Sequence, residues 1–377
     1  MTITTKELAR LAKVSRPAVS AALSNSGSSR VSEKTRRKIL NLATKLGYVP
    51  NMIARQLKGA TSGLVGLLTV PSHLGLLAVF QAELISALQA QGFEVLTSKL
   101  RASDTACKAI NEFQARRVMG IMALGMDLPL PQPSGAPIPT VYCGHNQTCG
   151  YDVGCDVEQG GYLAARHLLG HGRRRLLYLG LDHDKSNQRK FAGVARAAAE
   201  AGLKPQEHRM LIVEDGCIDT VFAALRELRG DALLCCNDFV AADMVGVLLR
   251  RGVKVPDDIA VTGFDGYTFC RHAAVPLATV IQPVRAQAVC AVEILLNRIR
   301  SGQPVNAFSG ILLAPRFHPS SSCGCNEPIK SKLSGSGNIL FDYEDFEDNG
   351  DSKHISGSEP LFRPLRDPAC RPISSQE

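Results

Sequence analysis

The sequence predicts an all-α helix-turn-helix head with a short hinge helix, followed by an α/β domain of two doubly wound parallel-sheet subdomains. Helical patterns fill residues 1–49, whereas short apolar strands alternate with helices from residue 63 onward. The charge divides at the same place, because residues 1–62 contain twelve Lys and Arg against two Asp and Glu, and the rest of the chain contains 31 against 33. The predicted domains are the head (1–49), the hinge (50–62), the α/β domain (63–325) and a tail (326–377).

The head has three predicted helices, and each is preceded by a side chain that can cap it. Thr4 or Thr5 precedes the first helix, Ser15 the second and Ser32 the third. Lys13-Val14 fits the tight turn between the first two, and Gly47 is placed to end the third. The apolar residues that repeat at helical spacing are Leu8, Ala9, Leu11, Ala12, Val19, Leu23, Ile39, Leu42, Ala43 and Leu46.

The second helix has the pattern of a helix that contacts base edges in the major groove. Arg16, Pro17, Ser20 and Ala21 face outward near its N-terminal end, where proline is tolerated. A small basic head on a near-neutral body is also the charge distribution of a nucleic-acid contact. A solvated basic arm is the alternative, and the strong periodicity of the head argues against it.

A possible hinge helix follows at residues 51–58, after the break at Tyr48-Val49-Pro50. Eight residues do not hold a helix in water alone, so this segment is expected to order only against a partner or DNA. Leu57 then has two interpretations. It either inserts between base steps in the minor groove or packs against the next domain, and the spacing alone favours neither.

Apolar segments in the larger domain predict strands that alternate with helices. The strands are predicted at 64–70, 93–99, 120–124, 140–143, 175–180, 209–214, 232–236 and 259–264, and helices at 77–91, 158–170, 190–201, 239–251 and 284–300. Continuous apolar strands alternating with helices imply parallel sheets covered on both faces. We expect subdomains of roughly 63–160 and 161–290, with the chain crossing back near Gln282-Pro283. Ligands of such folds bind between the lobes, at the carboxyl ends of strands.

The head resembles that of the lactose-repressor/galactose-repressor family of bacterial transcription regulators. The resemblance lies in TKELARLAKVSRPAVSAAL and VSEKTRRKILNLATKLGYVPNMIARQL, and it includes the hinge. The larger domain resembles the effector domain of the same family, which is like periplasmic sugar-binding proteins, in CDVEQGGYLAARHLLGHGRRRLLYLG, DALLCCNDFVAADMVGVLLRRGVKVPDDIAVTGFDG and LATVIQPV. The resemblance implies a repressor that binds operator DNA and a small effector of the sugar class, with no cofactor.

The resemblance also implies which residues contact DNA. Arg16, Pro17 and Ala21 would contact bases, and Leu57 would insert into the minor groove, which favours the first interpretation of that residue. Lys13 stands where the family has a turn glycine, so a non-glycine residue must adopt that geometry. Ala21 stands where a long polar residue commonly reads a base, so the operator preference is expected to differ. The full implied set is Thr4, Ser15, Arg16, Pro17, Ser20, Ala21, Asn25, Thr35, Tyr48, Asn51, Ala54, Arg55 and Leu57.

The implied effector-binding residues lie at strand ends and at one helix start. Taken singly, Asp156 and Asp238 are better explained as helix caps and Asp265 as a ligand contact. Lys190 replaces an arginine that clamps the ligand in the family and lacks its bidentate geometry, although the adjacent Arg189 can substitute. These departures leave a degenerate or non-sugar pocket as the alternative. The full implied set is Leu76, Leu77, Asp156, Arg189, Lys190, Asn237, Asp238 and Asp265.

The cysteines and the C-terminal tail predict no further site. The twelve cysteines are expected to be reduced and mostly in the core; Cys143, Cys149 and Cys155 recur every six residues, and Cys323-Gly-Cys325 is close-spaced. Neither spacing is the two-plus-two pattern of zinc sites, so no metal is expected. The tail is polar and acidic and is expected to be disordered. Tetrameric repressors of the family that the chain resembles have a C-terminal leucine-heptad helix. The tail has no such heptad, so the resemblance implies a dimer.

Other classes of protein fit the sequence less well. No phosphate-binding glycine loop, Gly-x-Ser-x-Gly elbow or paired His/Cys site marks an enzyme. The N-terminus has no signal-peptide pattern and no apolar run reaches membrane-spanning length, so we expect a cytoplasmic, nucleoid-associated protein and not a periplasmic binding protein. An architectural DNA-binding protein with an inactive effector pocket remains an alternative.

Overall fold

The chain divides into two compact units between Ser62 and Gly63. The computed structural model describes residues 3–23, 31–48, 62–70, 75–100, 106–125, 130, 137–144, 150–182, 184, 186–214, 218–302 and 309–325, together with the backbone of 362–364. Among the helices of these segments, none is both long and apolar enough to cross a membrane.

The described part of the first unit contains helices α1 (Thr5–Ala12), α2 (Arg16–Leu23) and α3 (Glu33–Lys45). Leu8, Val19 and Ile39, one from each helix, are fully buried against each other in its core. Leu11 belongs to the same apolar pattern in the sequence, but its side chain is 45% exposed. The backbone after α3 turns at Gly47 and its last turn is closed by the bond from Tyr48 N to Ala43 O, which confirms the predicted helix end.

The second unit alternates strands and helices along the chain, as predicted. In order they are β1 (Leu64–Thr69), α4 (Leu76–Ala90), β2 (Glu94–Lys99), α5 (Ala106–Ala115), β3 (Gly120–Leu124), β4 (Thr140–Gly144), β5 (Val153–Cys155), α6 (Val157–Gly170), β6 (Leu176–Leu181), α7 (Asn187–Glu200), β7 (His208–Val213), α8 (Ile218–Leu228), β8 (Ala232–Cys235), α9 (Asp238–Arg250), β9 (Ala260–Thr262), β10 (Thr279–Ile281), α10 (Val284–Ser301), β11 (Ile311–Leu313), β12 (Arg316–His318) and β13 (Phe362–Pro364). The predicted boundaries of the main strands are correct to within about two residues.

These elements form two lobes, each built on a parallel sheet. The first lobe has the strand order β13-β11-β5-β4-β3-β1-β2, and the second has the order β7-β6-β8-β9. All pairs in both sheets are parallel except β11 with β13. Each sheet has a buried apolar cluster on either face, which confirms the predicted doubly wound fold.

The chain passes between the lobes at three places in the described residues. It enters the second lobe after β5, returns to the first with α10, and leaves it again between β11 and β12. The return with α10 follows Gln282-Pro283 directly, as predicted. β10 and β12 then form a short antiparallel pair beside the second lobe.

The tail prediction is wrong at one place. Phe362–Pro364 pairs antiparallel with Ile311–Leu313 and so extends the sheet of the first lobe. A proline at the outer end of an edge strand suits this position, because an edge strand does not need every amide donor. The rest of the tail lies outside the described residues, as does the predicted hinge helix.

Candidate DNA-binding and effector sites

The N-terminal ends of the head helices carry the polar residues predicted at the DNA. Thr4 caps α1 in a reciprocal arrangement: its amide donates to Glu7 Oε2 at 2.8 Å, and the Glu7 amide donates to Thr4 Oγ1 at 3.3 Å. Ser15 Oγ accepts from the Ala18 amide at 3.3 Å, and Ser32 Oγ accepts from the Thr35 amide at 3.4 Å. These bonds confirm the predicted caps at Thr4, Ser15 and Ser32. Helix N-termini are favourable positions for phosphate groups, because their amides and dipole attract anions.

Helix α2 presents its predicted reading face outward. Arg16, Pro17 and Ser20 are exposed and Ala21 is half-buried, whereas Val19 and Ala22 on the other side are buried. Since the inner face is fixed in the head core, the outer face is held in a defined orientation for contact with a groove.

The turn before this helix requires a left-handed residue, and Lys13 supplies it. Its φ and ψ are 55° and 45°, and its amide donates to carbonyl groups of the last turn of α1. This confirms the prediction that a non-glycine residue adopts the geometry of the turn. A lysine in this region of φ and ψ carries a steric cost of roughly 1–2 kcal/mol.

Tyr48 has a structural contact in addition to its predicted DNA role. Its hydroxyl lies 2.7 Å from Thr5 Oγ1 and is hydrogen-bonded to it, so Tyr48 ties the end of α3 to the start of α1. The ring is half-buried beside the head core. Asn25, Asn51, Ala54, Arg55 and Leu57, which belong to the same predicted set, lie outside the described residues.

Three predicted effector residues form structural bonds of their own. Asp156 Oδ1 accepts from the Gln159 amide and caps α6, and Asn237 Oδ1 accepts from the Val240 amide and caps α9, both at 2.9 Å. Asp238 is completely buried and accepts from the amides of Gly266 and Tyr267 at 2.8 Å. Asp238 therefore fixes the loop after β9, which is a structural role and not the cap expected from the sequence.

Asp265 lies in that loop, at the carboxyl end of β9. Its side chain is 7% exposed and its Oδ1 accepts from Gln282 Nε2 at 2.9 Å. Its φ of 117° is outside the range that most non-glycine residues adopt, and such strain is frequent at ligand sites. Burial raises the pKa of the Asp265 carboxyl well above its usual range, while the positive charge of Lys190 acts in the opposite direction.

Lys190 is the buried cation of this site and is already paired. Its Nζ donates to Asp184 Oδ2 and to the Cys236 carbonyl, each at 2.9 Å, and lies 4.5 Å from the centre of the Phe264 ring. Burial alone would lower the pKa of Lys190, but the charges of Asp184 and Asp265 outweigh it and raise the pKa. Lys190 thus completes an ion pair with Asp184 and interacts electrostatically with Asp265.

Two further groups lie where the lobes meet. Tyr151 precedes β5 in the first lobe, and burial raises the pKa of its hydroxyl, while the adjacent Arg189 guanidinium of the second lobe acts in the opposite direction. Tyr267 of the second lobe is 2% exposed, and its hydroxyl has no hydrogen-bond partner among the described residues. This hydroxyl would lie 3.8 Å from a Cβ placed on Gly75, at the N-terminus of α4.

The sequence did not single out Tyr267 or Asp184, because neither stands in a recognisable motif. Leu76 and Leu77, which were predicted to contact the effector, pack with the core of the first lobe, and Leu76 is buried. The structure therefore places Lys190 and Tyr267 near Asp265 and places Arg189 beside Tyr151. It directs Asp156, Asn237 and Asp238 to the backbone.

Known proteins resemble this chain over both units. Residues 4–51 match the family described as bacterial regulatory proteins, lacI family, and residues 165–323 match a periplasmic binding protein-like domain. The HTH-type transcriptional repressor PurR of Vibrio campbellii is 31% identical over 313 residues, which cover 79% of this chain and 92% of that protein. PurR of Photobacterium profundum is 28% identical over the same length.

Solved structures agree with these matches. The lac repressor dimer bound to operator and the anti-inducer ONPF is 24% identical with a TM-score of 0.69, and the match covers 86% of this chain and 99% of that chain. A complex of the transcriptional regulator CelR with cellobiose is 25% identical with a TM-score of 0.57, covering 85% of this chain and 99% of that chain.

A basic helix-turn-helix head followed by a two-lobed periplasmic-binding-protein-like domain defines a DNA-binding transcriptional repressor. The chain belongs to the LacI family of bacterial regulatory proteins. The prediction that it is not an enzyme is confirmed by these relatives, which are repressors.

Proposed function

We propose that this chain is a dimeric repressor whose affinity for a palindromic operator is controlled by a sugar or sugar derivative bound between the lobes. It would act in the bacterial cytoplasm, at the nucleoid. The observation that carries this proposal is the group of polar side chains near the carboxyl ends of the second sheet. Lys190 and Asp265 interact electrostatically there, and Tyr267 adjoins the opposite lobe.

The chemistry of this group suits a molecule with several hydroxyl groups. Asp265 already accepts one bond from Gln282, and a carboxylate has further lone pairs that can accept from ligand hydroxyls. The Tyr267 hydroxyl is buried without a described partner. A buried unsatisfied hydroxyl costs roughly 1–3 kcal/mol, so a ligand oxygen that satisfied it would gain from that site. The cellobiose complex of CelR supports a carbohydrate as the class of ligand.

At the operator, we assign base contacts to the outward face of α2 and phosphate contacts to the helix N-termini. Arg16, Pro17 and Ala21 would meet bases, and Thr4, Ser15 and Thr35 would meet phosphates, with the hinge residues Ala54, Arg55 and Leu57 in the minor groove. In a dimer the two α2 helices would enter successive major grooves, about 34 Å apart. We also propose that the DNA-binding head ends at residue 49, the hinge at residue 62 and the effector-binding domain at residue 325.

The lobes would connect the two sites. An effector held by both lobes changes the angle between them, and with it the spacing of the two hinges in a dimer. Because hinge ordering is coupled to DNA binding, a coupling free energy of about 1–3 kcal/mol is enough for control.

Operator selection followed by effector screening tests this proposal. Genomic fragments would be selected with the full-length protein, and the best fragment titrated by fluorescence anisotropy with a carbohydrate panel and, separately, with nucleosides and other heterocycles. We expect a palindrome whose affinity changes about 5–150-fold with one sugar, bound by a species that sediments as a dimer. Asp265→Asn should abolish the change and keep the effector-free affinity, whereas Asp219→Asn on the exposed face of α8 should keep both.

Each other outcome has a defined meaning. A response to a heterocycle alone would replace the sugar with another ligand class. Enrichment with no response to either panel would favour an inactive effector pocket. Absence of any enriched palindrome, with only salt-sensitive weak binding, would contradict the specific dimeric repressor.

A further inference from the structure

A cluster of two histidines and two cysteines lies in the second lobe, away from the proposed effector site. His167 lies in the last turn of α6 and His171 directly follows the end of that helix, one turn further on. The segment at 323–325 brings Cys323 and Cys325 against them. His167 Nε2 lies 3.2 Å from Cys323 Sγ and 3.4 Å from Cys325 Sγ, and His171 Nε2 lies 3.3 Å from Cys325 Sγ. The donor atoms of His167, His171 and Cys325 all lie within 4.8 Å of one another. The fully buried Cys323 adjoins this group through His167.

The local backbone explains why the two cysteines reach the helix. Ser321–Cys323 form a single helical turn, and Gly324 follows with a φ of 97°, which only glycine adopts without strain. This reversal brings Cys325 back beside Cys323. Ser322 is fully buried at the centre of the turn, where it donates to the Val261 carbonyl at 2.6 Å and accepts from the Ala278 amide at 2.8 Å. The cysteine segment is thus anchored to the second lobe and is not a loose terminus.

The nitrogen–sulfur distances of the cluster are close to those between the ligands of a tetrahedral ion. With bonds of about 2.05 Å to nitrogen and 2.3 Å to sulfur, the nitrogen and sulfur ligands of a tetrahedral zinc lie about 3.5 Å apart. The observed separations are 3.2, 3.4 and 3.3 Å. Small shifts would therefore give these pairs the spacing of zinc ligands. Cys323 lies outside the group of His167, His171 and Cys325, so its side chain must turn towards them to complete the coordination.

We infer that His167, His171, Cys323 and Cys325 bind one zinc ion. Imidazole and thiolate ligands select zinc over magnesium or calcium, which prefer oxygen. Binding would replace the two thiol protons with the metal and release them to solvent. Cys323 would give up its present bond to the Ser320 carbonyl to become the fourth ligand.

The ion has a route to the site and a structural consequence. A cleft of about 450 Å³, lined by His171, Cys323 and Gly324 among others, opens beside the cluster. Zinc would tie the last described residues of the second lobe to α6, the helix that begins where the chain first enters that lobe. We therefore expect the metal to stabilise the second lobe and to fix the point from which the tail departs.

The sequence patterns did not reveal this cluster. They had led to the expectation that the chain has no metal site and no paired His/Cys site. The pairs are separated along the chain, since His167 and Cys323 are 156 positions apart. The signal that was available is the spacing of the histidines, because residues four apart on a helix share one face.

Zinc titration of the full-length protein tests the inference. The protein would be kept reduced, stripped with a chelator and titrated against a chromophoric chelator; cobalt would then be added for its absorption spectrum. We expect one equivalent of zinc per chain and a thiolate-to-cobalt charge-transfer band. Removal of a residue that only supports a metal ligand costs roughly 10–100-fold in metal affinity. His171→Asn and Cys325→Ser remove ligands themselves, so each should weaken zinc binding by at least that factor.

The controls are an exposed cysteine and an exposed histidine elsewhere, Cys107→Ser and His272→Asn, which should bind zinc like the unchanged protein. Zinc should also raise the melting temperature of the unchanged protein but not that of His171→Asn. Because His171 is exposed, the metal-free fold of this variant should be intact. The inference would be overturned if the reduced protein bound no zinc. It would also be overturned if His171→Asn and Cys325→Ser bound zinc as tightly as the unchanged protein.

Discussion

Asp184 determines the charge balance around Lys190. Besides its ion pair with Lys190, Asp184 Oδ1 accepts from the Ser186 amide at 2.9 Å and from Ser186 Oγ at 2.6 Å. Burial by itself raises the pKa of Asp184, but the charge of Lys190 and these hydrogen bonds outweigh it and hold the pKa at about 2. The folded state therefore favours the ionised carboxylate of Asp184.

This pKa predicts how Asp184 contributes to stability at different pH values. Since the folded pKa lies below the unfolded one, the contribution is fully present above about pH 5 and is lost as the pH falls towards 2. A shift from 3.8 to about 2 corresponds to about 2 kcal/mol. In urea unfolding, the difference between the unchanged protein and Asp184→Asn should shrink by about this amount between pH 6 and pH 2. A difference that did not change with pH would contradict the assignment.

Asp219→Asn is the matched control for that experiment. Asp219 also forms an ion pair, with Arg251 at 2.7 Å, but its side chain is almost fully exposed. An exposed pair contributes at most about 1 kcal/mol, so its loss should change the unfolding free energy little at any pH.

Prediction from sequence succeeded at residues whose role is set locally. Thr4, Ser15 and Ser32 cap helices because of the residues that come directly after them in the chain, and Lys13 is marked by the turn around it. Tyr267 and Asp184 could not be found in this way. Their importance depends on which side chains the folded lobes bring next to them, and a single sequence does not contain that information.

Helices α6 and α7 pack so closely that two glycines are required between them. A Cβ on Gly161 would overlap the Lys190 carbonyl oxygen, and a Cβ on Gly193 would overlap that of Glu158. The backbone of Lys190 is thus in direct contact with α6, and the position of the buried cation depends on this contact.

Gly161→Ala should therefore destabilise the protein by about 2–3 kcal/mol, because the helices must move apart to admit the methyl group. The same change should weaken the effector response, since Lys190 moves with α7. Gly170→Ala at the end of α6 is the control, because a Cβ there meets open space. Thermal unfolding and effector titration check both effects; equal stability of the two variants would refute the close-contact argument.

The return of α10 to the first lobe is secured by a buried ion pair. Arg298 donates from Nη1 to Asp152 Oδ2 at 2.7 Å and from Nη2 to Oδ1 at 2.5 Å, and Asp152 is completely buried. Asp152 Oδ2 also accepts from the Tyr142 amide at 2.9 Å. The pair thus connects α10 to the strands that precede the first passage between lobes.

Arg298→Met should destabilise the protein by roughly 3–5 kcal/mol, because it leaves a buried carboxylate without its cation. Arg298→Lys should recover only part of this loss, since an ammonium cannot make the bidentate contact. Arg300→Ala, two positions later and exposed, should change the unfolding free energy by less than about 0.5 kcal/mol. Denaturant unfolding would compare the three, and an Arg298→Met protein as stable as Arg300→Ala would exclude the anchoring role.

The same contrast between local and long-range information holds for whole elements. Strands buried on both faces are uniformly apolar, so β1, β3 and β8 could be recognised from composition alone. The three-residue strands β5, β10 and β11 could not, because such short segments carry no periodicity and form only where the chain passes between lobes. The order of strands in each sheet likewise becomes known only from the fold.

Across the whole molecule, the charge is divided between the two units. The first 62 residues carry a net charge of +10, and the remainder carries −2. Long-range attraction to DNA is therefore expected to come mainly from the head.

Arg16 provides the sharpest test of how the head distinguishes an operator from other DNA. As an exposed arginine in the first turn of α2, it is expected to contact a base, so Arg16→Ala should lose about 1–3 kcal/mol on the operator and much less on scrambled DNA. The dependence of affinity on salt should change little, because phosphate contacts set that slope. Arg251→Ala in the second unit is the matched control and should leave both affinities unchanged. If Arg16→Ala weakened operator and scrambled DNA equally, and lowered the salt dependence by about one counterion, Arg16 would be a phosphate contact and base reading would have to come from other residues of α2.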